Sequence, residues 1–189
     1  MDVEIVLSPF ELRPDMPDEG FQKSEFEEAG HSDRVRDHVL GLAEREGFPM
    51  VNPPFLPKTH LAHTLVEIAR DQGEERHREL HHAVFGAYYG QALDIGSRDV
   101  LLALAEDHGM DTDVVIAAWD EDGYAERLHQ FRHLAAHLGL DSTPAALICN
   151  ELLIGSRPYG VVRDAVERCL VTPESVEKEL ADEDSDVVG

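Results

Sequence analysis

The sequence predicts an α/β fold in which helices outweigh strands, and three observations lead to that prediction. Residues 2–7 alternate apolar and polar side chains, which is typical of a short strand. Apolar residues recur at helical spacing through most of residues 58–138. After Pro144 a short apolar run doubles back as a second strand before another helix begins. A chain of 189 residues with 42% hydrophobic content is long enough to bury the core of such a fold.

Prolines and glycines divide the chain before residue 58 into its elements. Residues 8–20 form a loop, because Pro9 and Pro14 exclude regular structure and the loop continues to Gly20. A helix is expected from Ser32 to Gly47, and Pro53, Pro54 and Pro57 then impose a second loop. Five helices follow, which are predicted at residues 61–69, at 80–88, between Ser97 and Gly109, at 114–119 and at 124–138.

The last third of the chain predicts a hairpin and a helix. Residues 144–149 are expected to form a strand, Asn150 and Glu151 a two-residue turn, and residues 152–155 the partner strand. A helix then opens at Pro158. A final, weakly apolar helix from Thr172 merges into an acidic tail.

The charge of the chain excludes several classes of partner. Acidic residues outnumber basic ones 39 to 16, which gives a formal net charge of −23, and only three of the basic residues are Lys. Such a surface repels phosphate, so we expect neither a nucleic acid nor an anionic membrane as partner. The scarcity of Lys favours adaptation to concentrated salt, where the Debye length falls to ~3 Å at 1 M. The alternative is an ordinary acidic protein whose unstructured tail contributes seven carboxylates against one Lys.

The sequence shows no sign of membrane insertion or secretion. No stretch approaches the ~20 apolar residues of a membrane-spanning helix. Residues 1–6 have neither a basic flank nor a long apolar run, so a cytoplasmic location is expected. Cys149 and Cys169 are too few for a disulfide scaffold or a thiolate zinc site.

Histidines occur on two predicted helices with a spacing that would suit ligands of a metal ion. Two histidines at i and i+4 can share a metal ion, but zinc needs three or four converging ligands, and three along one straight helix cannot converge. We therefore predict no metal site at either place. The histidines concerned are His77, His81, His82, His129, His133 and His137.

The order helix, X-Pro, strand, hairpin, strand, helix resembles the C-terminal half of a thioredoxin-like fold. Several segments are also similar, in conserved order, to DsbA-like oxidoreductases of the FrnE and 2-hydroxychromene-2-carboxylate isomerase group. These segments are Ser8-Pro9-Phe10-Glu11-Leu12-Arg13-Pro14-Asp15-Met16-Pro17, Pro57-Lys58-Thr59 with His60-Leu61-Ala62-His63, Ala87-Tyr88-Tyr89 through Asp94-Ile95-Gly96, Thr143-Pro144, and Ile154-Gly155-Ser156-Arg157-Pro158-Tyr159. Lys58 replaces the Asn that is usual in that group.

The resemblance implies a thioredoxin-like fold with a large α-helical insertion. Residues 1–20 and 122–172 would form the thioredoxin-like part, residues 21–121 the insertion, and residues 173–189 an acidic C-terminal helix and tail. Members of the group begin with a strand, a Cys-x-x-Cys and a helix, and this N-terminal βα unit is missing here. Because the first strand is central in such sheets, we expect one of two outcomes. Either an upstream stretch supplies the unit, or residues 3–7 pair directly with residues 145–149.

The resemblance also implies one binding site. In the group, the proline after the long helix is cis, and the residue before it offers backbone hydrogen bonds to an extended substrate. Thr143 and Pro144 are therefore the expected substrate-binding residues. No catalytic residue can be placed, and no cofactor is expected. The implied ligand is a peptide or protein that carries a thiol or disulfide, or a small thiol, and a homodimer is also an option.

Three functions remain open at this point. The first is a FrnE-like thiol–disulfide oxidoreductase in a truncated or catalytically incomplete form. The second is a non-catalytic thioredoxin-like paralogue that binds a peptide or protein. The third is a glutathione-dependent isomerase of the 2-hydroxychromene-2-carboxylate isomerase type. The predicted topology brings Cys149 and Cys169 to the same edge, opposite Pro144, but in a reducing cytoplasm we expect both to be unpaired.

Overall fold

The computed structural model describes residues 3–25 and 31–171, which divide into two compact units. The first unit ends at His133 and the second begins at Leu134. Within the described ranges no helix is long and apolar enough to cross a membrane. The predicted helix from Thr172 and the acidic tail lie outside the described residues. The predicted division into a thioredoxin-like part and an insertion stays a prediction.

The first unit is mainly helical, and each helix predicted within it is confirmed. It also contains a short antiparallel strand pair, in which Phe21 lies opposite Leu56. This pair was not predicted because strands of two residues are too short to show an alternating pattern. Its elements are β1 (Phe21–Gln22), a 3₁₀ turn (Lys23–Glu25), α1 (His31–Glu46), β2 (Phe55–Leu56), α2 (His60–Asp71), α3 (Glu74–Phe85), a π-helical turn (Gly86–Gly90), α4 (Arg98–Asp107), α5 (Thr112–Asp120) and most of α6 (Ala125–His137).

The core of the first unit forms around α2, which is buried on almost all sides. Leu65 of α2, Leu80 of α3 and Leu101 of α4 are fully buried and belong to one apolar cluster. Burial of each such side chain contributes about 1.5–3 kcal/mol to folding. Two aromatic residues close the cluster and satisfy their polar atoms on backbone carbonyls. The Nε1–H of Trp119 donates to Leu61 at 3.1 Å, and the hydroxyl of Tyr88 donates to Phe55 at 2.7 Å.

The sequence predicts Phe85, Tyr88, Tyr89 and Trp119 as core residues rather than as a ligand cage, but not all four are buried. Phe85 and Tyr89 are 52% and 37% exposed, so the prediction is wrong for these two. The two residues lie four positions apart and therefore share one helix face. Their rings contact each other at the surface, with centroids 5.7 Å apart, while Tyr88 occupies the inward face.

The predicted strand at the start of the chain is not formed. Residues 3–7 have irregular backbone, and Val3, Ile5 and Val6 are each more than half exposed. A strand needs a neighbour for its N–H and C=O groups, and no described segment pairs with these residues. The alternating pattern therefore has no sheet to enter. The alternative in which residues 3–7 pair with residues 145–149 is likewise absent from the described residues.

The second unit contains a hairpin followed by a helix, as predicted. The hairpin consists of β3 (Ala145–Ile148) and β4 (Glu151–Ile154), and α7 (Tyr159–Val171) follows. The predicted turn at Asn150 and Glu151 is wrong by one residue, because Ile148 pairs with Glu151 and leaves Cys149 and Asn150 as the turn. The turn closes because Cys149 adopts a left-handed φ of 51°.

The expectation of two unpaired cysteines is also wrong. Cys149 and Cys169, which are 20 positions apart in sequence, form a disulfide with their Cα atoms 6.0 Å apart. This Cα–Cα distance lies in the range that a disulfide spans. The predicted topology had placed both cysteines at one edge, and that proximity is what permits the bond. The expected reducing compartment had argued against it.

Candidate functional site

The peptide bond between Thr143 and Pro144 is cis, as the resemblance implied. Pro144 directly precedes β3, and its carbonyl accepts a hydrogen bond of 2.8 Å from the N–H of Gly155 at the end of β4. Both residues of the bond are exposed. The backbone N–H and C=O of Thr143 make no hydrogen bond within the part of the chain that the structure describes. Thr143 therefore presents two main-chain groups that a bound extended chain can use.

No cysteine of the described residues lies beside this bond. Cys149 is five residues beyond Pro144 along β3, a distance of about 17 Å at ~3.3 Å per residue. Cys169 lies in the last turn of α7, whose C-terminal carbonyls do not stabilise a thiolate. Both cysteines of the sequence are joined to each other. The attacking thiol of disulfide exchange is therefore not supplied at the cis-proline by these residues.

A second cluster joins two of the segments that carried the resemblance, residues 8–17 and 57–63. His60, at the first position of α2, lies between two carboxylates. Its Nδ1 is 2.7 Å from Oε1 of Glu11, and its Nε2 is 3.0 Å from Oδ1 of Asp122. Arg132 approaches the other oxygen of Glu11 at 3.6 Å. Nearby, the ammonium group of Lys58 lies 2.7 Å from Asp18, so the loop is held to the start of α2 at two points.

The pKa values in this cluster follow from its contacts. Burial raises the pKa of Glu11, but the hydrogen bond and charge of His60, with the charges of His63 and Arg132, lower it more. The hydrogen bond to Glu11 raises the pKa of His60 above 6.5, and Asp122 adds to this against the opposing effect of burial. Burial lowers the pKa of His63. The cluster thus favours an ionised Glu11 beside a protonated His60.

A third group of charges is buried inside the first unit. The carboxylate of Glu67 in α2 is fully buried, and it accepts hydrogen bonds from Nε of Arg70 at 3.0 and 3.1 Å. Arg127 approaches the same carboxylate at 3.5 Å and binds Asp71 at 2.8 Å. Arg70 also donates to the carbonyl of Leu7. This network holds the N-terminal segment to α2 through its backbone.

Sequence reasoning missed Glu11 and Glu67 as members of these clusters. Glu67 had a usable signal, because it lies within a helix segment that is apolar on all faces and has Arg70 at i+3. Glu11 had none, since its partners are 49 or more residues away in sequence.

The histidine pattern on α6 brings two side chains together. Nε2 of His129 and Nε2 of His133 are 3.1 Å apart, and both residues are exposed. Within the described ranges no group of three or more His, Cys, Asp or Glu side chains is placed to hold a metal ion. The absence of a metal site stays a prediction.

This architecture belongs to the class of thioredoxin-like folds. A cis-proline is followed by a hairpin and a helix, and the chain also contains a large helical part. The model of the DSBA-like thioredoxin domain matches residues 1–167. The chain therefore belongs to the DSBA-like thioredoxin family, which confirms the resemblance drawn from its motifs.

One curated protein and two solved structures are similar to this chain. The uncharacterized protein YwbO of Bacillus subtilis is 26% identical over 170 residues, which is 87% of this chain and 82% of YwbO. The crystal structure of a probable DsbA oxidoreductase from Streptomyces coelicolor matches with a TM-score of 0.74 and 21% identity, and covers 86% of this chain and 74% of that one. A 2-hydroxychromene-2-carboxylate isomerase matches with a TM-score of 0.60 and 17% identity, over 83% and 70% of the two chains. The two solved structures are similar in fold.

Proposed function

We propose that this chain is the substrate-binding scaffold of a FrnE-like thiol–disulfide oxidoreductase, in a truncated or catalytically incomplete form, and that it acts in the cytoplasm. Thr143 and Pro144 bind an extended peptide or protein segment that carries a thiol or a disulfide. The attacking thiol comes from outside the residues described. Membership of the DSBA-like thioredoxin family supports the reaction class.

One observation carries the proposed binding site. Thr143 is exposed just before a strand, and its main-chain N–H and C=O are not used by the described chain. Two free main-chain groups at the start of a strand suit recognition of an extended chain by backbone hydrogen bonds. Such recognition does not depend on the sequence of the bound segment, which fits a protein that handles many disulfides.

A second candidate is favoured by the disulfide. Because Cys149 and Cys169 are joined to each other, the chain could bind a peptide at Thr143 and perform no exchange at all. The DNA upstream of the start codon separates the two candidates. An in-frame stretch that encodes a strand, Cys-x-x-Cys and a helix favours the oxidoreductase, and a stop codon directly upstream favours the non-catalytic paralogue.

The binding site is tested with a fluorescent extended peptide that carries an S-methylated cysteine, so that no exchange can occur. We expect Pro144→Ala to weaken binding about tenfold or more, because proline restricts the backbone of the residue before it, and its removal leaves the two main-chain groups of Thr143 less well positioned for their hydrogen bonds. Thr143→Ala keeps both main-chain groups and is expected to bind within about twofold of the native chain. Reduced glutathione is titrated in parallel, since an isomerase of the third type would need its thiol here.

A matched control guards against a general effect of proline removal. Pro158 is also exposed and begins α7, where its carbonyl accepts the N–H of Val161 at 2.9 Å, and Pro158→Ala keeps that acceptor. We expect this variant to bind as the native chain does. Equal affinity of Pro144→Ala and Pro158→Ala, with both folded by circular dichroism, would overturn the proposed site.

A further inference from the structure

Two links join the hairpin turn to the last turn of α7. The disulfide connects Cys149 in the turn with Cys169 on the helix. Beside it, the guanidinium group of Arg168 binds both carboxylate oxygens of Glu151, at 2.8 and 2.6 Å. Cys149 and Glu151 are two positions apart in sequence, and Arg168 and Cys169 are adjacent, so the two links lie side by side. We call these four residues the clasp.

We propose that the clasp is a redox-responsive site: a dithiol opens the Cys149–Cys169 disulfide, and its opening loosens the hairpin that begins at Pro144. This inference extends the proposed function, because it describes control of the proposed binding site. The loosening itself does not depend on that function and can be measured without a ligand.

Within its described residues the second unit has few buried apolar side chains to hold its hairpin in place. Its buried hydrophobic residues in that part of the chain are Ala135, Leu153 and Ala165, of which one is large. Leu147 of β3 and Leu170 of α7 are more than half exposed. The disulfide therefore supplies a large share of what holds the hairpin among these residues.

The contribution of the disulfide to stability is large compared with that of these buried side chains. A crosslink that closes a loop of about 20 residues favours the folded state by a factor of roughly 100. Full burial of one leucine contributes a factor of about 10 to 100. The exposed ion pair of Arg168 and Glu151 contributes at most a few-fold, because water screens it. Reduction thus removes a contribution to folding as large as that of Leu153, which is the one large side chain buried in the described part of this unit.

The pair can also be reached by a reductant. Cys149 lies in an exposed two-residue turn, whereas Cys169 is half-buried on α7.

A thiolate of the dithiol attacks Sγ of Cys149, which forms a mixed disulfide and releases Cys169 as a thiolate that takes up a proton. The second thiol of the dithiol, as a thiolate, then attacks the dithiol's first sulfur in the mixed disulfide. This releases Cys149 as a thiolate, which takes up a proton. Two electrons pass to the protein disulfide, and the dithiol is oxidised to a cyclic disulfide.

The hairpin transmits the opening toward the proposed binding site. Its ladder runs from Ile148 and Glu151 at the clasp end to Ala145 and Ile154 at the other end. Beyond that end, the N–H of Gly155 donates to the carbonyl of Pro144. The whole ladder consists of four residue pairs, and the first of them already includes Glu151 of the clasp. A hairpin this short is marginal when its turn is not held.

The test measures hydrogen exchange of the hairpin amides in the full chain, oxidised and then reduced with millimolar dithiothreitol, in molar KCl. We expect the amides of β3 and β4 to exchange on the order of 10 to 100 times faster after reduction. The variant with Cys149→Ser and Cys169→Ser should exchange at that faster rate under both conditions. Glu151→Gln, the matched control, removes the ion pair, keeps the disulfide and should change exchange by about threefold or less.

Three results would overturn the inference: hairpin exchange that is equal before and after reduction, a disulfide that dithiothreitol does not open in the folded protein, or two free thiols in the oxidised protein. Peptide binding is measured on the same samples. Faster exchange with no peptide binding in either state supports the clasp and contradicts the proposed function. Peptide binding with unchanged exchange contradicts the clasp and leaves the proposed function standing.

Discussion

Nδ1 of His60 lies 2.7 Å from Oε1 of Glu11, and this contact fastens the proline-rich loop to the first turn of α2. The pKa of Glu11 is lowered from 4.5, so its contribution to stability is present above that pH and is lost as the pH falls through the folded value. The pKa of His60 is raised from 6.5, so its contribution is full below that pH and is lost as the pH rises through the folded value. The contact therefore contributes most to stability between pH 4.5 and pH 6.5, the ordinary pKa values of the two groups.

The first prediction is that His60→Ala lowers the free energy of unfolding by about 1–2 kcal/mol within this window, and by less at pH values above the folded pKa of His60. Denaturant unfolding at constant molar KCl across the pH range measures this difference. Asp122→Asn is the matched control, because it removes the exposed partner of His60 and keeps Glu11; its effect should be smaller. A loss that grows as the pH rises beyond the window would contradict the assignment.

The buried carboxylate of Glu67 gives a second prediction. Glu67→Gln keeps the shape of the side chain but leaves Arg70 without its charge partner inside the unit. Removal of one member of a buried ion pair costs about 3–5 kcal/mol, so the melting temperature should fall steeply. The exposed Glu75 on α3 provides the control, since Glu75→Gln should change the stability by no more than about 0.5 kcal/mol. Equal effects of both substitutions would mean that the Glu67 network does not stabilise the unit.

Features encoded by neighbouring residues were predicted from the sequence. The helices follow from apolar spacing and from residues at their ends: Ser97 adopts the extended conformation of an N-cap before α4, and Gly139 after α6 has a φ of 68°. Thr143 and Pro144 were identified by their place in the order of elements, which needs no knowledge of distant contacts. The turn of the hairpin was placed one residue too late, because the two apolar runs leave the polar Asn150 and Glu151 between them and nothing in the pattern marks Cys149 as a turn residue.

Features that depend on distant residues were not predicted. Glu11 and His60 are 49 residues apart, and His60 and Asp122 are 62 apart. No local pattern marks such a pair, because it forms only when the loop packs on α2. The disulfide was missed for another reason: topology brought Cys149 near Cys169, but the expected compartment outweighed that proximity. The alternation of residues 3–7 predicted a strand whose partner the described chain does not contain.

The third prediction concerns salt. A chain with a net charge of −23 and three lysines repels itself strongly at low ionic strength. Added KCl shortens the Debye length and weakens this repulsion, so the melting temperature should rise between low salt and molar KCl. A series of thermal melts at constant pH measures it. A melting temperature that stays flat or falls over this range would show that the acidic surface is not adapted to salt.

The last prediction is that the chain does not accelerate the reduction of insulin by dithiothreitol. Catalysis of this reaction needs a thiolate that a helix N-terminus stabilises and that is regenerated in each cycle. Cys169 instead lies in the last turn of α7, and Cys149 lies in a hairpin turn about 17 Å along the chain from Pro144. Dithiothreitol can open their disulfide once per molecule, but neither thiol is placed to attack a substrate held at Thr143.

The measurement follows the turbidity of insulin with and without the protein, with a thioredoxin as positive control. Insulin should be reduced at the rate that dithiothreitol alone gives. An acceleration that Cys149→Ser or Cys169→Ser abolishes would show instead that this pair is itself a catalytic centre.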